Sequence, residues 1–417
     1  MTAYYIEVLD SLRVVDIYVE CAGPKRGSGG DEIQLIGATE LRISLESVIS
    51  LPVAVLPRAA MRSFLDVSDS RSASAQVWVR IRAPIASDIM KARLEQASQL
   101  ITNIGKPIAA SAIQGLCNVS CQSCSSSLFV STTVTAEDGD SSHTLKIRDL
   151  PSAFWSELVD CWVCHPEKDT VNVNTDLLHV FEPEITASDD AKASTVNPKT
   201  HADTKPAVDM WVGDTYVLAA ERLFRDLPRN LVHIDTKGRF HGSYVELCCD
   251  SCSRVVGEAG RMGSKKMAKL CLNRVQFELP NPSPAISVTL SAAVCREILS
   301  HAGAHAVYRF VVEGRKSCQP VALIHVVGWN VEIQARAATS AHADIAGRCI
   351  KVLFTQAGTS AFDSQAKQWL DDSATELISL FDADADKLLC VLSKNAQLLP
   401  PPLRGMANMT RTFLEIA

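Results

Sequence analysis

The sequence predicts an α+β, β-rich protein with an N-terminal antiparallel β sandwich or barrel, a zinc-stapled middle and a C-terminal mixed α/β domain. Three observations predict this. The first third holds short runs rich in β-branched residues. The middle carries three Cys-x-x-Cys pairs. The last third alternates strand-like with helix-like segments. Domains are expected over 1–115, 116–270 and 271–417, with a mobile loop over 183–209.

The N-terminal strands are read at "YYIEVL", "RVVDIYVE", "EIQLIG", "LRISLE", "VAVL" and "QVWVRI". Turn formers separate several of them, among them Gly27, Gly29, Gly30, Ser68 and Asp69. "SDIMKARLEQASQLITNI" then switches to helical spacing, with Ile89, Leu94, Ala97, Leu100, Ile101 and Ile104 on one face. The run from Pro183 to Asp209 is rich in Ala, Ser, Thr, Asp and Pro and can bury little, which makes it a loop. "WVGDTYVLAA" resumes strand patterning. In the last third "LNRVQFEL", "VYRFVVEG", "PVALIHVVGWNVEIQARA" and "CIKVLFTQ" read as strands, whereas "SAAVCREILSHA", "ATELISLF" and "ADKLLCVLSKNAQLL" read as helices. Pro400, Pro401 and Pro402 break the chain before a short final helix, "MTRTFLEI".

Composition narrows the function classes. A chain of 417 residues is longer than one core usually spans. Apolar residues make up 47% and aromatics 6%, so the cores are expected to be built from Val, Leu, Ile and Ala. The net charge is -6 and no basic run exceeds two residues, which argues against direct nucleic-acid binding. Glu7 and Asp10 interrupt the N-terminal apolar pattern, unlike a signal peptide. No apolar run approaches the roughly 18 residues of a membrane helix. A soluble protein of the cytoplasm, the nucleus or both is expected. In that reducing setting the fourteen cysteines read as metal ligands and core residues rather than disulfides.

The three pairs are Cys121/Cys124, Cys161/Cys164 and Cys249/Cys252. A Cys-x-x-Cys turn offers two thiolates to one tetrahedral zinc, and four such ligands close a structural site. The first and third pairs, in "NVSCQSC" and "LCCDSCSRVVGE", have short polar residues between the thiols and β-like runs beside them. They read as two zinc knuckles brought together by folding, against the alternative of buried free thiols.

The middle pair differs. Trp155, Leu158, Val159 and Trp162 fall on one helical face, after Pro151 and a Ser152 N-cap. Pro166 biases His165 out of the α region, so the helix must end near Cys164. The partial negative charge of a helix C-terminus disfavours a thiolate, which makes Cys164 a poor nucleophile and a good ligand only toward a metal cation. Other motifs fail their chemistry. "GEAGRMGSKK" lacks the Lys-Ser/Thr placement of a phosphate loop. "DADADK" lacks the glycine and the terminal glutamate of a calcium loop. His301 and His305 lack the glutamate of a zinc-protease helix.

"LPSAFWSELVDCWVCHPE" resembles the Leu-Pro-Ser-x-x-Trp-x-x-Leu-Val-x-x-Trp-x-Cys-His-Pro signature of the HECT-like ubiquitin-conjugating-enzyme-binding proteins. "SCQSC", "VGDTYVLAA", "LCCDSCSRVVGE", "KVLFTQ" and "LSKNAQLLPPPLRGMANMTRTFL" extend the resemblance over most of the chain, while Cys161 departs from it. The resemblance implies an E3 ubiquitin ligase that binds a ubiquitin-conjugating enzyme, with a HECT-like domain over 271–417. It also implies a link to the zinc-dependent endonuclease of pre-mRNA 3′-end cleavage and polyadenylation. There Cys164 would enter the nuclease site as a zinc ligand, flanked by Trp155, Trp162, His165 and Pro166. A HECT-type mechanism needs an exposed, activated cysteine near the C-terminus. Cys390 is the candidate, but its apolar helical run with Leu388, Leu389 and Leu392 predicts a buried, inert thiol.

Overall fold

The structure, a computed structural model, describes residues 3–21, 33–44, 47–57, 60–67, 76–91, 93, 108–129, 145–150, 182–183, 209–235, 241–262, 265–280, 284–337, 344–358, 360–406 and 408–416. All but the two ends of the loop expected over 183–209, and most of the helix expected after residue 87, lie outside these residues; 87–91 and 93 are helical.

Strands β1 (Tyr4–Leu9), β2 (Val14–Cys21), β3 (Gln34–Leu35), β4 (Glu40–Ser44), β5 (Ser47–Ser50), β6 (Met61–Val67) and β7 (Gln76–Pro84) come first. Next are β8 (Asn118–Cys121), β9 (Lys146–Asp149), β10 (Glu182–Pro183), β11 (Asp209–Val212), β12 (Tyr216–Ala220) and β13 (Arg229–Asp235). They are followed by β14 (His241–Cys248), β15 (Val255–Met262), β16 (Lys265–Cys271), β17 (Val275–Glu278) and β18 (Ile286–Ser287). Helix α1 (Leu290–His305) leads to β19 (Arg309–Gly314), β20 (Pro320–Arg336) and β21 (Ile345–Gln356). Helix α2 (Ser360–Leu370), β22 (Thr375–Leu380), α3 (Asp382–Leu398), α4 (Pro401–Arg404), β23 (Gly405–Met406) and β24 (Met409–Glu415) close the order.

The chain divides into two units. The first takes Met1–Ile104, Val307–Gly314 and Gln319–Ala417. Its main sheet has the order β23-β24-β21-β20-β1-β2-β7-β6, with β19 beside β20 and β22 beside β19. Strand β1 explains the arrangement. Tyr4, Ile6 and Val8 bury one face and Tyr5 the other, so the strand belongs inside a sheet. It finds β2 on one side and β20 on the other, in the register Tyr4↔Arg336 to Val8↔Glu332. The first face packs with Ile17, Leu41 and Ile49. The second packs Tyr5 with Ile333, Leu398 and Phe413. Strands β1, β2, β6 and β7 share this sheet with β19–β24, while β3, β4 and β5 form a separate three-stranded sheet whose Leu41 and Ile49 pack on it.

Two predicted helices are strands. "ATELISLF" forms β22, parallel to β19 with Phe310↔Glu376 and Val312↔Ile378. "MTRTFLEI" forms β24, antiparallel to β21. Both runs are too short to hold an isolated helix, and each found a sheet edge to extend. Helix α2 is absent from the sequence expectations.

The second unit takes Gly105–Ala306 and Arg315–Cys318. Its larger sheet has the order β13-β14-β15-β16-β12-β11-β9, with β10 beside β15; β18-β17-β8 form a smaller one. A Cβ on Gly257 would stand 2.1 Å from the Lys269 carbonyl oxygen, so only glycine lets β15 and β16 close there. Val119, Leu247, Leu272 and Phe277 are fully buried in its core. Thr289 caps α1 by accepting a bond from the Ala292 amide, 3.0 Å. Among the described residues no helix is long and apolar enough to cross a membrane.

Candidate metal centre

Strand β8 ends on Cys121, and β14 ends one residue before Cys249. Each thiol starts a turn with the same hydrogen bonds. In the first, the Cys121 amide donates to the Ser126 carbonyl (2.8 Å) and the Ser125 amide to the Cys121 carbonyl (2.8 Å). In the second, the Cys249 amide donates to the Arg254 carbonyl (2.8 Å) and the Ser253 amide to the Cys249 carbonyl (2.9 Å). Ser125 and Ser253 hold left-handed backbone at φ 58° and 57°, a conformation uncommon outside glycine. The sequence cue for this equivalence is the serine four residues after the first thiol of each pair.

Folding brings the turns together. Cys121 Sγ lies 3.7 Å from Cys252 Sγ, and Cys124 Sγ 3.6 Å from Cys249 Sγ. All four sulfurs fall within 4.8 Å of one another and could hold a metal ion. Thiolates at about 2.3 Å around one tetrahedral ion would stand about 3.8 Å apart, so this cluster fits such an ion. A side chain also ties one turn to the other: Arg254 Nη1 donates to Ser123 Oγ at 3.1 Å. The Gln122 backbone amide donates to the Arg274 carbonyl at 3.0 Å, which anchors the first turn.

Burial is uneven. Cys121 and Cys249 are buried, Cys252 is half-buried and Cys124 is exposed. Burial pushes the Cys249 thiol up to about 12 and raises that of Cys121. Hydrogen bonds from Ser126 hold Cys124 down at about 6. Two of the four thiols thus resist ionising in the apolar interior, a resistance that a bound cation would offset. The neighbouring Cys117 is exposed and donates to the Glu278 carbonyl at 3.0 Å, while burial raises the half-buried Cys248.

The other predicted residues do not join this cluster. Trp155, Cys161, Trp162, Cys164, His165 and Pro166 lie outside the described residues. Cys390 is exposed on α3, which corrects the expected burial. Its neighbours Leu388 and Leu392 take the buried face, and the thiol is turned away from both. Sequence reading also missed a buried ion cluster in the second unit. Glu258 pairs with Lys269 Nζ at 3.1 Å and Arg315 Nη2 at 2.5 Å. Burial acts to raise Glu258, yet these two cations hold its carboxyl below the ordinary range. Arg315 also lies over the Tyr244 ring, 4.4 Å from its centre. Glu258 and Lys269 face each other across hairpin β15–β16, but Arg315 comes from far along the chain, so no local motif announces the cluster.

Comparison with known proteins connects the chain to a family. No solved structure matches the chain. An E3 ubiquitin-protein ligase of mouse (Mus musculus) is 22% identical over 342 residues, covering 78% of each chain. Its counterpart of the same name in rat (Rattus norvegicus) is 23% identical over 333 residues, covering 76% of this chain and 75% of its own. The orangutan (Pongo abelii) ligase of that name is 20% identical over 362 residues, covering 78% and 79%. The model of the HECT-like ubiquitin-conjugating enzyme (E2)-binding family matches residues 7–410, and the chain belongs to that family.

Proposed function

We propose that this protein acts as an E3-type ubiquitin ligase, docking a ubiquitin-conjugating enzyme and promoting transfer of its ubiquitin. The observation that carries the reading is the family match over residues 7–410, alongside relatives named E3 ubiquitin-protein ligase. The metal centre has a structural role in this reading. Four cysteines supply a closed set of ligands, which suits zinc and leaves no open position for a reacting molecule. Zinc would stabilise the four thiolates and join the two turns, and the chain's own β8 and β14 would hold them in place.

Hairpin β15–β16 offers the docking surface. Its base is buried, while Arg261, Lys265 and Lys266 are exposed at the tip. Arg261 stands opposite Lys266 on one side and Glu182 of β10 on the other, which leaves a cationic excess at the tip suited to an acidic partner surface. The docked enzyme carries ubiquitin as a thioester, so the ligase can act by orienting that bond toward an acceptor amine. The alternative route passes ubiquitin to the exposed Cys390 thiol first. We assign the activity to the cytoplasm or nucleus, where clustered thiols stay reduced.

A single-turnover discharge assay tests the proposal. Wild-type protein is expected to accelerate loss of the thioester from at least one conjugating enzyme, and Cys390→Ala to retain that activity. No acceleration with any conjugating enzyme ends the ligase reading, and loss in Cys390→Ala transfers the chemistry to that thiol. The second expectation, insertion of Cys164 into a cleavage endonuclease, has no supporting observation among the described residues.

A further inference from the structure

We propose that the four-cysteine cluster is also an oxidation site for hydroperoxides, in which Cys124 reacts first and becomes linked to Cys249 across the two turns. The argument starts from exposure. Cys121 and Cys249 are buried and Cys252 is half-buried, so among these four Cys124 is the most open to a solute. Cys117 and Cys390 are also exposed, but they lie outside the cluster. Reaction at an exposed thiol becomes a reversible link only where a second sulfur stands ready. Cys249 Sγ stands 3.6 Å from Cys124 Sγ, and bonding requires closure to about 2.05 Å. That movement of roughly 1.6 Å is within reach of side-chain rotation.

The step balances. With hydrogen peroxide, the Cys124 thiolate attacks one peroxide oxygen, the O–O bond breaks, hydroxide leaves (an alkoxide from an organic hydroperoxide) and the sulfur becomes a sulfenic acid. The Cys249 thiolate then attacks that sulfur, the S–S bond forms and a second hydroxide leaves. Two electrons pass from the pair of sulfurs to the peroxide, whose oxygens end as water after protonation. A bound metal loses two of its four ligands and is released. Cys121 and Cys252, 3.7 Å apart, are placed for the same linkage afterwards. The turns would then be held by covalent bonds between the same positions that the metal had joined. Metal release rests on the reading of the cluster as a zinc site; the disulfide pattern rests on thiol positions alone.

The test treats full-length wild-type protein with hydrogen peroxide over a time course. Released metal is read with a chromogenic chelator, and disulfides are mapped by mass spectrometry after alkylation and digestion. The expected first product is the Cys124–Cys249 link, forming at the rate of metal release and reversed by dithiothreitol. Cys117→Ser is expected to leave that rate unchanged. Links within a turn, Cys121–Cys124 or Cys249–Cys252, would overturn the proposal, as would oxidation confined to Cys117 or Cys390. Untreated protein that carries no metal ends the zinc reading, while the disulfide map still decides the oxidation site.

Discussion

The two units bring distant parts of the chain together by different means. In the first, β1 pairs with β20, and Tyr5 packs against Phe413 in a core of large apolar side chains. In the second, β8 and β14 lie in different sheets, and the ends of both strands meet at four thiols. The first contact is continuous, shared by a backbone ladder and a broad apolar face, so no single residue carries it. The second combines a shared apolar core, holding Val119 of β8 and Leu247 of β14, with four thiols at the strand ends. A metal held by those thiols would make this join depend on an ion as well as on buried area.

Removing a ligand tests the comparison most severely. Cys121→Ser is expected to abolish metal binding; apparent binding energies for structural zinc reach about 10–16 kcal/mol, so the loss should unfold much of the second unit. Hydrogen exchange monitored by mass spectrometry should show lost protection in β8, β14 and β17 with β1, β20 and β21 unchanged. Equal loss in both units would break the distinction.

Phe413→Ala is the matching change in the first unit. It removes a fully buried ring and is expected to cost about 3–5 kcal/mol, read as a lower urea midpoint for that unit. Metal content should stay at the wild-type level.

Asp16 gives the smallest effect and sharpens the first unit's electrostatics. It is buried opposite Glu7 and accepts from Arg82 Nε and Nη2, each at 2.7 Å, and from Arg80 Nη2 at 2.7 Å. Burial acts to raise its carboxyl, but the arginines outweigh this and hold it below the ordinary range. Its contribution is therefore present above the unfolded value of about 4 and lost as pH falls through the lower folded value. Asp16→Asn is expected to lower stability by about 2 kcal/mol at pH 7 and by less at pH 3. Urea melts at the two pH values check this, and an unchanged difference would remove Asp16 as its source.

Much of this was legible in the sequence. The β-branched runs of β1, β2 and β7 and the helix-like character of α1 and α3 marked those elements, because residue type acts locally. The first and third Cys-x-x-Cys pairs stood out because thiol spacing within a turn is local. Strands β22 and β24 were misread because short apolar runs suit either period, and pairing with β19 and β21 decided between them. Cys390 was misread because an apolar neighbourhood in sequence is not an apolar neighbourhood in space. Leu388 and Leu392 bury, and the residue between them faces out.

The sequence by itself determined the β-rich character, the two turns that present thiols and the family resemblance. These follow from periodicity, spacing and residue type, which act over a few positions. Tertiary structure alone decided that β1 joins β20, that Cys124 meets Cys249 and Cys121 meets Cys252, and that Glu258 rests between Lys269 and Arg315. Apart from Glu258 and Lys269, which meet across a hairpin, these contacts join residues distant along the chain. The free energy of each depends on everything buried around it, which no local stretch of sequence contains.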